Sequence, residues 1–297
     1  MIARLASHPD GGPDLFPLGD SLTLADVLGH AHASASLGDF DKGLLLLAKA
    51  QEFMPGTPWA DVPWVADPAT ASEADPQVIA NIAVDLLPIA RDLDESSRLP
   101  ALNPYLRLIR NAVGAHPGHA PLHGAAGYLF RRFDIAEAAR YAERAEELAP
   151  VSASAVALAL IYRDQGRADD AAHAMERAVE RDNRNPERYA DACDYLLQAG
   201  RLGEARTYAR QGLDIHPGHA CCEVSAAAAE FCQSRRSEHF DRLVRLTQSH
   251  PVDSHAYSHG VEVMQIAAKA MGSQTVTLQG SARQIRRQIK RELRKQR

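Results

Sequence analysis

Apolar positions in this chain recur every three or four residues over stretches of about thirteen, and turn-forming residues separate one stretch from the next. Between Glu187 and Ala199, the residues Tyr189, Ala192, Cys193 and Leu196 fall on one helical face. Between Gly203 and Ile215, Ala205, Tyr208, Ala209, Gly212 and Leu213 do the same. Gly200 divides the two stretches, where a residue able to enter the left-handed region ends a helix, and Pro217-Gly218 closes the second. The segment 186–219 thus predicts a helical hairpin.

The pattern returns along the chain. Gly200 is followed at five, twelve and seventeen places by Ala205, Gly212 and Pro217. The same ladder runs Gly38, Gly43, Ala50, Pro55, then Phe133, Ala138, Ala145, Pro150, then Gly166, Ala171, Ala178, Asn183. A decayed copy runs Ser234, His239, Leu246, Pro251. Seven places before each start stands a small residue: Ala31, Ala126, Ala159, Cys193 or Ala227. The last four starts lie 33, 34 and 34 residues apart. Small side chains at these places let two helices approach closely, and a hairpin that cannot bury its apolar face alone stacks on its neighbours. A period of about 34 with this signature resembles the tetratricopeptide repeat. The resemblance implies an all-α, right-handed superhelical solenoid of about six helical hairpins, with a capping helix and a basic C-terminal helix.

In order, residues 1–20 lack periodicity and are expected to form a flexible N-terminus. The solenoid is expected over 21–271, with its first hairpin near 22–37 and 40–53. Residues 55–76 interrupt it with five prolines, which rule out one continuous helix, and carry both tryptophans, Trp59 and Trp64. Two roles stay open for them: anchoring the insertion on the hairpins, or lining a ligand site. A degenerate hairpin follows, with a helix near 77–93 containing Pro88, an inserted ESSRLP segment, and a helix near 101–115. Four hairpins span about 118–253, and a helix near 254–271 is expected to cap the stack. Residues 272–297 read as a linker and basic tail.

Hydrophobic content of 45% fits a folded protein. No apolar run reaches membrane-spanning length, and the N-terminus lacks a signal peptide's apolar core, so a cytoplasmic location is expected. No nucleotide loop, HExxH or GxSxG motif occurs, and the reading is not an enzyme, with no cofactor. The cysteines, Cys193, Cys221, Cys222 and Cys232, form no CxxC pair, and they read as small buried helix residues. Histidines mark the turns between hairpins: His116 and His119, His216 and His219, His250 and His255. The last four can approach one another on adjacent turns, but they read as polar turn residues, and no metal is expected.

Charge is unevenly spread. Residues 281–297 carry eight Lys or Arg and one Glu, a net +7, within a chain of formal net charge −5, so the remainder stands at −12. The tail forms a helix with Ile285, Ile289 and Leu293 on one stripe, and its Arg283, Arg286, Arg287, Lys290, Arg291 and Arg294 are candidate polyanion contacts. In tetratricopeptide proteins the first helix of each hairpin lines a groove for a peptide or partner helix. Carried onto this sequence, the resemblance implies partner contacts at His123, Phe130, Arg131, Leu160, Arg163, Asp164, Asp194 and Gln198. The implied role is a non-catalytic scaffold or adaptor binding another protein or peptide. Two alternatives are a regulator using the basic tail on nucleic acid or an anionic membrane, and an accessory subunit of a transferase-type biosynthetic enzyme.

Overall fold

The structure, a computed structural model, describes residues 23–270, and within them the regular structure is entirely α-helical. The chain divides into two compact units, residues 1–150 and 151–297.

The first unit holds three hairpins. Helices α1 (Leu24–Ser36) and α2 (Phe40–Phe53) form the first, and the insertion contributes the short helices α3 (Pro63–Ala66) and α4 (Pro68–Glu73). Helices α5 (Pro76–Asp92) and α6 (Glu95–Ala115), then α7 (Ala120–Phe130) and α8 (Ile135–Leu148), form the other two. The second unit holds three more: α9 (Ser152–Asp164) with α10 (Ala168–Arg181), α11 (Pro186–Gln198) with α12 (Leu202–Ile215), and α13 (Ala220–Ser234) with α14 (Ser237–Gln248). A single helix, α15 (His255–Ala270), follows and packs on α11, α13 and α14. Among the described residues, five hairpins follow the ladder and the α5–α6 pair is the degenerate sixth, with a single helix after them; the basic tail lies outside the described residues, as does the segment 1–20.

Local chemistry starts and stops these helices where the pattern places them. Side-chain caps hold the N-termini: Asp39 accepts from the Lys42 N–H at 3.2 Å, Asp134 from Glu137 at 2.9 Å, and Asn185 from Glu187 at 3.1 Å. The five small positions Ala31, Ala126, Ala159, Cys193 and Ala227 are completely buried. Gly38, Gly166 and Gly200 occupy the left-handed region between the two helices of their hairpins, at φ of 82°, 75° and 75°.

The sixth hairpin departs from this. Ser234 is the last residue of α13, and the left-handed position falls one place later, on Arg235 at φ 57°. A non-glycine residue there carries about 1–2 kcal/mol of strain that glycine does not. Arg235→Gly should therefore stabilise the protein by about 0.5–1 kcal/mol, after allowing for the freer unfolded chain. Urea denaturation measures this directly; an unchanged or lower midpoint would mean that the arginine's own contacts outweigh the strain.

The insertion is ordered by its prolines and tryptophans. Pro63 and Pro68 open α3 and α4 at the first helical position, where a missing N–H costs nothing. The Trp64 ring stacks on Phe40 at 6.3 Å, and its indole N–H donates to His32 Nδ1 at 3.1 Å. Trp59 donates to the Met54 carbonyl at 3.3 Å, and Arg107 of α6 pairs with Asp61 at 3.0 Å. Of the two roles open for the tryptophans, these contacts are anchoring ones.

The ESSRLP segment is not an insertion before α6 but its first turns. Asp94 caps it through the Ser96 and Ser97 N–H groups, both at 3.0 Å, and the helix runs through Pro100 and Pro104. Each interior proline removes a backbone bond and costs roughly 3 kcal/mol. The complete burial of Leu102, Tyr105, Leu108 and Ile109 on the same helix offsets that.

Candidate functional site

The predicted contact residues fall on both units, and those of the first unit are largely core. His123 is 5% exposed and its Nε2 lies 3.2 Å from the Pro117 carbonyl. Phe130 is fully buried against Tyr141, with ring centroids 5.2 Å apart, and under the Arg110 guanidinium at 4.8 Å from its ring. Arg110 grips Glu137 at 2.7 and 2.9 Å, and the Tyr141 hydroxyl donates to the same carboxylate at 2.7 Å. That bidentate arginine, with the tyrosine, holds the Glu137 carboxyl below its ordinary range. His123 and Phe130 are therefore packing residues, which corrects their assignment as partner contacts. Arg131, half-buried, caps the end of α7 with its N–H on the Gly127 carbonyl.

In the second unit the inner face is built on α9, α11 and α13 and is partly covered by α15. Asp194, on α11, is 6% exposed. Its Oδ1 accepts from the Ser225 hydroxyl of α13 at 2.9 Å, and Ser225 Oγ lies 2.9 Å from His259 Nε2 of α15. His259 Nδ1 stands 3.5 Å from the other Asp194 oxygen. Asp194 is thus also removed from direct partner contact.

A serine, a histidine and an aspartate in mutual contact suggest hydrolytic chemistry, but the geometry does not serve it. The aspartate contacts the serine oxygen directly instead of acting on it only through the imidazole, and Ser225 is fully buried with no face open to a substrate. The trio is a polar lock joining three helices. Burial pushes the Asp194 carboxyl well above its ordinary range and the His259 imidazole down to about 4, so burial favours the uncharged form of each.

Beside this lock the remaining predicted residues gather. Arg163 of α9 lies 3.6 Å from Asp164, 3.4 Å from Glu262 of α15, and 5.5 Å from the Tyr195 ring centre. A pocket of about 300 Å³ opens there, lined by Arg163, Tyr195, Leu197, Gln198, Ile266 and Lys269 among others. Leu160 is half-buried on the same helix as Arg163, and Asp164 and Gln198 are exposed. Helical phase places these residues on the inner face, but it gives no sign that Ile266 and Lys269 of α15 complete the wall. A signal did exist: Ser225 and His259 are 34 residues apart, one repeat, so stacking sets them side by side. The tail residues Arg283, Arg286, Arg287, Lys290, Arg291 and Arg294 lie outside the described residues. Among the described residues no helix is long and apolar enough to cross a membrane.

Residues 162–229 match a family model described as the tetratricopeptide repeat. No curated protein matches the chain. Similar solved structures include a thermophilic tetratricopeptide protein of Thermus thermophilus, 19% identical, covering 70% of this chain and 100% of that one, with a TM-score of 0.42. YrrB, described as a tetratricopeptide protein with an unusual peptide-binding site, is 17% identical over 76% of this chain and 97% of its own, at a TM-score of 0.47. PilF of Pseudomonas aeruginosa is 14% identical over 83% and 97%, at 0.45.

Proposed function

We propose that this chain, a tetratricopeptide-repeat protein, acts as a non-catalytic scaffold that holds a segment of a partner protein on the inner face of its second unit. The observation that carries this reading is the pocket between α9, α10, α11 and α15. Its floor is apolar, from Leu197, Ala171 and Ile266, and Arg163 and Lys269 stand at its rim. Such a site takes an apolar side chain with a carboxylate beside it. Arg163 is partly compensated by Asp164 and Glu262, and an incoming carboxylate would compete with Glu262 for the guanidinium.

The test begins with affinity capture by the full chain, followed by titration of the recovered partner. Arg163→Ala should weaken binding by more than about 1 kcal/mol, since arginine is favoured at desolvated interface positions, and the exposed Lys269→Ala by about 0.2–1 kcal/mol. Lys269 is exposed, so its variant should melt as the wild type does. Arg163 is only 29% exposed over its side chain and lies over Tyr195, so its variant also loses up to about 1 kcal/mol of stability. A partner that binds both variants as tightly as wild type uses another surface.

A further inference from the structure

One side-chain cluster lies apart from the pocket, where the first turns of α11, α13 and α15 come together. Glu187 is the second residue of α11, Cys221 the second of α13, and His255 the first of α15. The three are spaced 34 and 34 residues apart, so they occupy one phase of the repeat in three successive first helices. Stacking turns that phase into a column. One ligand atom from each, a carboxylate oxygen, the sulfur and an imidazole nitrogen, lies within 4.8 Å of the other two. His219, the residue before α13, brings a fourth: its Nε2 is 3.3 Å from Glu187 Oε1, while His255 Nε2 is 3.5 Å from Oε2. The carboxylate thus sits between two imidazoles with the sulfur beside it.

We propose that Glu187, Cys221, His219 and His255 bind a divalent transition-metal ion of the zinc class, which clips α15 to the two hairpins before it. Thiolate, imidazole and carboxylate are each zinc ligands, and four of them satisfy the ion's tetrahedral coordination, although this set is poorer in sulfur than the common structural sites. Tetrahedral ligands at bond lengths of about 2.0–2.3 Å stand roughly 3.3–3.8 Å from one another, so Glu187, Cys221 and His255 need to close by about 1 Å, and His219 reaches the site beside Glu187. Thiol and imidazole donors select zinc over magnesium or calcium, which take oxygen. A carboxylate pairing with two histidines needs no sulfur and no repeat phase, and both are present here.

The surroundings suit the same ion. Burial, then the neighbouring Glu187 carboxylate, push the Cys221 thiol well above its ordinary range, so a metal binding here displaces its proton. His219 Nδ1 is buried with no hydrogen-bond partner, so this imidazole is not fully satisfied by Glu187 alone. Cys221 is 2% exposed, which protects the sulfur, while the Glu187 side chain is 38% and that of His255 29% exposed, which leaves an approach from solvent. Deeper in, Cys221 packs with Ala190 and Cys222, an apolar floor that keeps water from behind the site. The absence of a CxxC motif argued against zinc in the sequence because metal motifs are read along the chain, whereas these donors are each a whole repeat apart.

The experiment uses the full chain without a histidine tag, stripped of metal by chelation, with zinc as the probe in competition against a chromophoric chelator. The expected result is one zinc per chain at sub-micromolar affinity, and a higher melting temperature with zinc. Cys221→Ser and His255→Ala should each weaken zinc binding by about tenfold or more. Cobalt should give a thiolate-to-metal charge-transfer band that Cys221→Ser abolishes. Circular dichroism of the metal-free variants establishes that they fold, and Glu187→Gln, at the exposed mouth, gives a second route if the cysteine variant does not. Failure of the wild type to hold one zinc, equal affinity in the variants, or a cobalt spectrum without the thiolate band would each overturn the assignment.

Discussion

His259→Ala should cost about 3 kcal/mol or more. The imidazole is 7% exposed and fills space between α15, α11 and α13. Its removal leaves a cavity, and truncating a buried side chain of this size costs roughly 2–5 kcal/mol. Ser225 Oγ keeps its bond to Asp194 Oδ1, but the other Asp194 oxygen is left buried without its imidazole contact, at about 1–3 kcal/mol when unsatisfied. The two contributions overlap, because a water entering the cavity can bond to the freed oxygen. Thermal unfolding should move down by roughly 6–12 °C. His259→Asn, which keeps a polar group on a shorter stem, should recover part of the loss. If His259→Ala melts within about a degree of wild type, α15 is not locked to α11 and α13 through this trio.

Gly212→Ala is the second large effect, a net loss of about 1–2 kcal/mol from adding one methyl group. A Cβ at this position of α12 would lie 2.6 Å from Cys222 Sγ and 2.9 Å from Tyr189 Cβ. Both distances are well inside contact, and neither neighbour gives way easily: Cys222 is fully buried and the Tyr189 atom is fixed to its backbone. Overpacking of this kind forces the backbone to shift and usually costs about 1–3 kcal/mol. Alanine's better helix propensity, worth about 1 kcal/mol over glycine, works in the opposite direction, so a net loss reports the clash and not the helix. Gly203→Ala on the same helix, where an added Cβ meets nothing within 4 Å, is the control and should be neutral or stabilising. Equal stability of the two variants would show that α12 does not approach α11 and α13 this closely.

The repeat itself was legible because close packing restricts residue type at fixed places. Ala31, Ala126, Ala159, Cys193 and Ala227 are small because another helix occupies the space a larger side chain would need. The body of α6 was legible as a helix near 101–115, but its start was not. Pro100 argues locally against a helix through ESSRLP, and only the Asp94 cap and burial of the residues that follow, a tertiary effect, reverse that. The same distinction explains the site. Phase along the chain selects Arg163, Asp194 and Gln198 on the first helices of the second unit. It carries no information about what covers them, and α15 removes Asp194 from solvent while adding Ile266 and Lys269 to the pocket. The donors of the proposed metal cluster share a phase across repeats, a signal that a residue-by-residue search for motifs passes over.

Trp59 and Trp64 are the chain's two tryptophans, and both anchor the insertion in the first unit. Indole fluorescence therefore follows the melting of residues 1–150 alone, whereas the far-ultraviolet helical signal follows both units at once. The protein carries its own pair of optical probes, one local and one global. Where the two traces coincide, the units unfold as a single cooperative body; where they separate, the interval between them measures how independently each half holds its fold. A substitution at Gly212 or His259 then becomes a test of that coupling as well as of packing, since it can disturb the fluorescence of the other half only through cooperative unfolding.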